Sequence, residues 1–500
     1  MGKLVPCSVI DVVPGDSFTI GTESFLRFAP MIAPIMEKVN VTAFWFFCPI
    51  RILYDDPRDW EDFITGQGTE GHIAPFLESI SGTNVGKMVD HLYNIEGTPG
   101  GMRLSAHYIA AYCKIYDEWF RNQNTDTTET WEPLITNNNH NGVYRPMLQG
   151  DPFTRTWEKD YFTSALPWAQ KGSAVSLPLL EQGSATVTLS GVNTPGTIRN
   201  ASDGSLAPVG DNLDIATGSA FNSGTGNNAV FYDPEGTLEV DINSAAATIN
   251  QLRQAYRLQE WLELDAMGGT RYTEKIYAHF GVKSPDARLQ RPEFIGRYTG
   301  RMAISEVLQT SAANDDGETG RGTPLGTMGG HGLSVMGGSP LNYYATEHGI
   351  LMCIINVQPK PKYQQGLARK FTRFLPLDYY WPKFANIGEQ EILNQEIFVQ
   401  SASPNGTFGY ASRYAEYKFE ASTVAGEMRT TLAHWHLGRI FASAPALNKS
   451  FTDCDPSPRI FNTLYTGGGE PEYNSDQIFG LIHHNIHAMR LMPKYARPTI

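Results

Sequence analysis

The sequence predicts a mainly β protein, a sandwich of strands with long interstrand insertions that contain some helices. Three observations predict it. The 500 residues include 48 Gly and 31 Pro, a larger share than the ~12% usual for this pair, which favours strands and turns over a helical bundle. Strand-like apolar runs outnumber helical patterns along the chain. No internal repeat and no clean linker divides it, so residues 1–500 read as one sandwich with elaborate insertions.

Taken in order, the segment VNVTAFWFFCPIRIL from Val39 begins with polar and apolar residues alternating and becomes an aromatic run ended by Pro49. That is the pattern of a half-buried strand entering a core. Helical spacing follows from His107 to Phe120, through Ile109, Tyr112, Cys113 and Tyr116. Leu238, Val240 and Ile242 alternate as in a strand. Thr248 and Gln251 form a capping-box pair ahead of an apolar stripe of Ile249, Leu252, Tyr256, Leu258, Trp261 and Leu262, and Gly268-Gly269 ends it. A helix packed on a sheet is the expectation. The polar segment SPDARLQRPEFIG, with Asp286, Arg288, Arg291 and Glu293, is too irregular for a helix or a clean strand, so contacts outside it must hold it. Residues 350–357 read as a deeply buried strand.

Three stretches are loop-like: 122–141, rich in Asn and Thr; 181–236, rich in Gly, Ser, Asn and Thr; and 310–339, dominated by glycine. Loops this long in a compact domain are commonly functional or disordered.

The charge balance limits function. A formal net charge of -13 argues against the whole surface acting as a nucleic-acid sink, because nonspecific affinity comes from Lys and Arg neutralising phosphates. Five widely spread cysteines, Cys7, Cys48, Cys113, Cys353 and Cys454, lack a Cys-x-x-Cys pair and read as reduced, mostly buried thiols. The start MGKLVPCSVIDVVPGD has no apolar core for a secretory signal, and Pro6 stands where myristoylation needs Ser or Thr. The longest apolar run, residues 43–50, falls far short of the ~20 residues of a membrane helix. A soluble protein folded inside a cell, without membrane insertion, is expected.

No motif carries catalytic chemistry. His483 and His487 in HHNIH stand at i and i+4, as on one face of a zinc-protease helix, but His484 replaces the required Glu. His434 and His436 in HWH alternate as on a strand, suited to packing. GTMGGHG at 326–332 lacks the Gly-Lys-Ser/Thr ending of a phosphate loop, and a Gly-x-Ser-x-Gly elbow is absent. Asp55-Asp56 and Asp315-Asp316 read as solvated turns. No cofactor or metal is expected.

One stretch suits single-stranded DNA, where cations track the backbone and aromatic faces stack on bases. In KPKYQQGLARKFTRFLPLDYYWPKF, residues 360–384, the candidate cations are Lys360, Lys362, Arg369, Lys370 and Arg373, with Tyr363 and Phe371 as stackers. The competing reading is an intersubunit or core segment. The arm at 488–500 adds Arg490, Lys494 and Arg497, poised for genome contact or for docking on a neighbour.

Ordered wording along almost the whole chain resembles the major capsid proteins of the Microviridae, above all the gokushovirus branch. It includes DVVPGDSF at 11–18, FWFFCPIRIL at 44–53, YDEWFRNQN at 116–124, DYFTSALPWAQKG at 160–172 and GGTRYTE at 268–274. It continues with DARLQRPEF at 286–294, EHGILMCIINV at 347–357, YQQGLARKFTRF at 363–374, DYYWPKFANIGEQEILNQEIF at 378–398, GYASRYAEYKFEASTVAGEMR at 409–429 and HWHLGRIFASAPALN at 434–448. The resemblance implies an eight-stranded antiparallel viral jelly roll and self-assembly into a T=1 icosahedral shell around circular single-stranded DNA. It implies as partners a pilot protein, a small basic DNA-packaging protein and an internal scaffolding protein, with assembly in the host cytoplasm. It also makes 181–236 an exterior protrusion at the threefold axis and the expected contact with a host surface receptor. Two other classes compete: a carbohydrate-binding or glycan-cleaving β-sandwich, and a receptor-binding spike that stops at a trimer.

Overall fold

Burial separates two kinds of strand. β1 (Val5–Val12) is partly buried; β2 (Ser17–Phe28) alternates buried and solvent-facing residues, the mark of a sheet with one wet face. β3 (Val39–Pro49) is buried at all but one position. After an insertion come β4 (Glu293–Arg301), β5 (Ala303–Leu308), β6 (Met328–Met336), β7 (Leu341–Tyr344) and β8 (Gly349–Pro359), the last buried throughout. A short pair, β9 (Glu389–Leu393) and β10 (Thr407–Ser412), precedes the long β11 (Ile478–Met489).

These strands form two main antiparallel sheets. Sheet I runs β1-β8-β3-β4. In sheet II, β11 pairs with β2 along its whole length, β6 and β7 share the opposite edge of β2, and β5 pairs with β6. Phe18, Ile20, Leu26 and Phe28 of β2 meet Val41, Trp45 and Phe47 of β3 and Leu351 and Cys353 of β8 in the core between the sheets. The opposite face of sheet I is covered too. There Phe44, Phe46, Met352 and Ile354 pack on the helix α1 (Ala106–Ile115) through Ile109, Ala110 and Cys113. Two covered faces are the reason β3 and β8 are near-continuous apolar runs. Ser105 caps α1 through the His107 amide, and a π-helical turn, Tyr116–Phe120, prolongs it.

The computed structural model describes residues 1–65, 73–78, 87–95, 103–126, 135, 150–173, 175, 249–308, 310, 326, 328–461, 465–466, 471–472 and 476–492, with the backbone of short strands between 187 and 240. Two compact units result: Met1–Lys171 with Glu263–Ile500, and Gly172–Leu262. The second contains three two-stranded antiparallel ladders, Thr197–Asn200 with Val230–Asp233, Val187–Leu189 with Leu238–Val240, and Leu213–Ile215 with Phe221–Ser223. The helix α2 (Ile249–Met267) spans the expected residues, and a shorter α3 (Tyr272–Phe280) follows, stopped by Gly281 at φ 68°. As expected, outside contacts hold the segment around Arg291: its guanidinium lies 4.1 Å from the Trp119 ring centroid, donates to Thr273 Oγ1 at 3.1 Å and pairs with Asp286 at 3.5 Å.

Four expectations change. Residues 310–339 are not simply a glycine loop, because β6 occupies Met328–Met336; a Cβ on Gly330 would sit 2.4 Å from the Ala33 carbonyl oxygen, so close approach of two backbones explains the glycine there. The HHNIH histidines lie on a strand, not a helix, so His484 points inward while His483 and His487 face out. His434 sits in a 3-10 turn, Ala433–Trp435, and His436 is buried beyond it, accepting from the Gly438 amide at Nδ1. The stripe on α2 does not sink into a core: Ile249, Tyr256, Leu258 and Trp261 are exposed, and Asp265 and Ala266 are its buried residues. Thr248, Asp315-Asp316, most of 122–141 and 181–236, and the arm beyond 492 lie outside the described residues.

Candidate genome-contact and assembly surface

Residues 360–384 leave β8 and run over a third, smaller core that β9 and β10 share with Tyr161, Phe162 and Phe451. Three short 3-10 turns, Arg369–Phe371, Pro376–Asp378 and Pro382–Phe384, shape the segment. Proline opens two of them, where its fixed φ suits the first helical position. Asp378 Oδ2 accepts from the Phe374 and Leu375 amides, and these bonds hold its carboxyl below the usual range.

Each candidate cation here has a carboxylate partner. Lys360 reaches Glu158 at 3.7 Å, and Lys362 reaches Glu37 at 3.1 Å while donating to the Met36 carbonyl at 2.6 Å. Arg369 pairs with Glu396 at 3.4 Å, Lys370 with Glu420, and Arg373 with Glu416 at 3.1 Å. Burial raises the pKa of Glu37 and Glu396, and Lys362 and Arg369 act against that rise by favouring the charged carboxylates. In the arm, Arg490 binds Asp16 at 3.2 Å and lies over the Phe18 ring. Lys494 and Arg497 fall outside the described residues.

The two aromatic candidates separate. Tyr363 is 4% exposed and donates its hydroxyl to Asp160 Oδ2 at 2.7 Å, so it is a core residue with no face to offer a base. The sequence could not reveal this, because Asp160 is distant in the chain. Phe371 is 64% exposed, with the Lys370 ammonium 5.4 Å from its ring centroid.

Beyond Phe371 the surface turns apolar. Phe374, Leu375, Leu377, Tyr379, Tyr380 and Trp381 are all exposed, Phe374 at 84%. This contiguous run is larger in kind than the scattered apolar residues of ordinary surfaces. Beside it opens a cleft of about 480 Å³ lined by Arg369, Arg373, Arg413, Tyr414 and Glu416. Arg413 and Tyr414 went unnoticed in the sequence search because they come from the end of β10, brought alongside by the pairing of β9 with β10.

A sheet covered on both faces, irregular excursions and an exposed aromatic ridge are features of a structural subunit. The chain belongs to the Microviridae capsid protein family: residues 1–500 match the family described as "Capsid protein (F protein)". It is similar to capsid protein VP1 of Bdellovibrio phage phiMH2K, 33% identical with 99% of this chain and 92% of the relative covered. It is likewise similar to capsid protein VP1 of Chlamydia phage 1, at 29% identity over 100% of this chain and 93% of the relative. For capsid protein VP1 of Spiroplasma virus 4 the identity is 31%, over 100% and 92%. The protein is therefore a component of the virion shell, a homo-oligomer and not an enzyme, which sets aside the glycan-cleaving sandwich.

Proposed function

We propose that the chain builds a T=1 icosahedral shell around circular single-stranded DNA, with sheet I (four strands) and sheet II (five strands, β6 and β7 together filling one position beside β2) as the two halves of an eight-stranded jelly roll. Heterologous contacts that close into rings would hold the shell, and the ridge at 371–381 is one such contact with a second copy. The observation that carries this reading is the pairing of charges. A chain of net charge -13, whose candidate cations are matched by acids, neutralises few phosphates by itself. Genome condensation then falls to a small basic DNA-packaging protein, with a pilot protein and an internal scaffolding protein as further partners. Lys370 and Phe371 keep the ssDNA role, as an exposed cation beside an exposed ring. Lys362, Arg369, Arg373 and Arg490, each paired with a buried acid, hold the subunit together; Lys360, paired with the exposed Glu158, stays beside Lys370 as a genome-contact candidate, and the arm carrying Lys494 and Arg497 supplies a second genome contact. The 181–236 insertion is the exterior protrusion that meets the host receptor.

The chain expressed alone, and again with its neighbouring phage proteins, tests the assembly by negative-stain electron microscopy. Closed shells of uniform diameter are expected with the partners present. Monomers or trimers under both conditions would overturn the reading in favour of a spike. For the genome contact, ssDNA affinity is measured against salt. A slope of about -0.7 per neutralised phosphate applies to single strands, so the subunit alone should show a shallow slope that steepens when the basic partner is added.

A further inference from the structure

Three chemistry-bearing side chains separated by hundreds of residues meet in the core between the sheets. Cys7 sits on β1 where the ladder slips between Pro6 and Ser8, and such a bulge re-aims a side chain. Cys353, fully buried on β8, lies beside it. His484 reaches in from β11 on the other sheet. The two sulfurs and a ring nitrogen all lie within 4.8 Å of one another, the one such cluster of potential metal ligands among the described residues.

The ring is held in place. His484 Nδ1 is 3.1 Å from Thr22 Oγ1, which also accepts from Trp45 Nε1 at 2.9 Å, and the Trp45 ring meets the imidazole edge-on at 5.2 Å. With Nδ1 donating to Thr22, Nε2 presents a lone pair, and Nε2 is buried without a hydrogen-bond partner. A ligating histidine is commonly fixed through its other nitrogen in this way. We propose that Cys7, Cys353 and His484 bind one thiophilic divalent metal ion of the Zn²⁺ class per subunit, tying β11 of sheet II to β1 and β8 of sheet I.

Charge and geometry select the ion. Two thiolates neutralise a divalent cation, which suits a dry core, whereas Cu⁺ would leave a buried negative charge. Bonds of about 2.3 Å to sulfur and about 2.0 Å to nitrogen need the three atoms to close by roughly 1 Å at most, a matter of small side-chain rotations. The fourth position falls to a water or a backbone carbonyl. Binding releases the thiol protons to solvent and takes up the imidazole in its neutral form.

The test uses the full chain, stripped with chelator and titrated with Co²⁺, which reports thiolate ligation through charge-transfer absorption and four-coordinate geometry through intense d–d bands. One Co²⁺ per chain is expected, displaced by Zn²⁺. Both signals should vanish in Cys7→Ser and Cys353→Ser, weaken in His484→Gln and persist in Cys48→Ser. Zn²⁺ should raise the melting midpoint of the wild type and leave that of Cys7→Ser unmoved, with circular dichroism confirming that the variants fold. Absence of a charge-transfer band at saturating Co²⁺, a band that survives Cys7→Ser, or a Cys7–Cys353 disulfide in purified native shells would overturn the proposal.

Discussion

The sandwich core and the ridge at 371–381 are both aromatic, and they use their rings in opposite ways. Trp45, Phe46 and Phe47 are buried inside one chain, whereas Phe374, Tyr380 and Trp381 stand exposed on it. The first group stabilises the subunit as soon as it folds; the second, under the proposed assembly, would gain its hydrophobic stabilisation only when another subunit covers it. A shell needs both, because subunits must be soluble long enough to meet.

Substitutions can break this contrast in graded steps. Trp45→Ala should lose folding and assembly together: deleting a buried Trp costs about 3–5 kcal/mol, and the Thr22 hydroxyl loses its indole donor. Soluble yield and urea denaturation would register it. Phe374→Asp should leave the subunit folded, with unchanged circular dichroism, yet abolish shells in electron micrographs. A shell that forms normally would remove the ridge from the interface. Glu416→Gln leaves the largely buried Arg373 guanidinium without its acid, at about 3 kcal/mol, measured by denaturation of the unassembled subunit.

A pH effect comes next. His107 hydrogen-bonds Tyr54 and Ser105 inside the core, and burial lowers its pKa from 6.5 to about 4. The unfolded chain therefore binds the proton more readily. Stability is full above pH 6.5 and declines as pH falls from there through about 4, and His107→Gln should flatten that part of the profile. Last and smallest, Lys370→Ala should leave the melting point within error of the wild type, because its partner Glu420 is solvent-exposed. Only ssDNA affinity should fall.

Legibility in the sequence followed periodicity. β3, β8, α1 and α2 were readable because apolar residues recur with a strand's or a helix's spacing. β6 was hidden by Gly329, Gly330 and Gly332, which signal turns in sequence but here let backbones approach. β11 was obscured because the i, i+4 histidines fit a helix face as well as a strand. The ion pairs were invisible for a different reason. Lys360 finds Glu158, and Lys362 finds Glu37, through tertiary pairing that no local window contains. Cys7, Cys353 and His484 likewise meet only through strand register.

The pairing of β2 with β11 has a consequence for biosynthesis. Thr22 and His484, neighbours across that ladder, are 462 positions apart. While the ribosome is still making the intervening chain, β2 has one edge without its native partner, and so distant a pairing is slow to form. A nascent chain carries an open strand edge through nearly its entire translation, the state in which strands recruit wrong neighbours. A chain cut short before β11 would keep that edge of β2 open, and such truncated chains should aggregate more readily than the full chain.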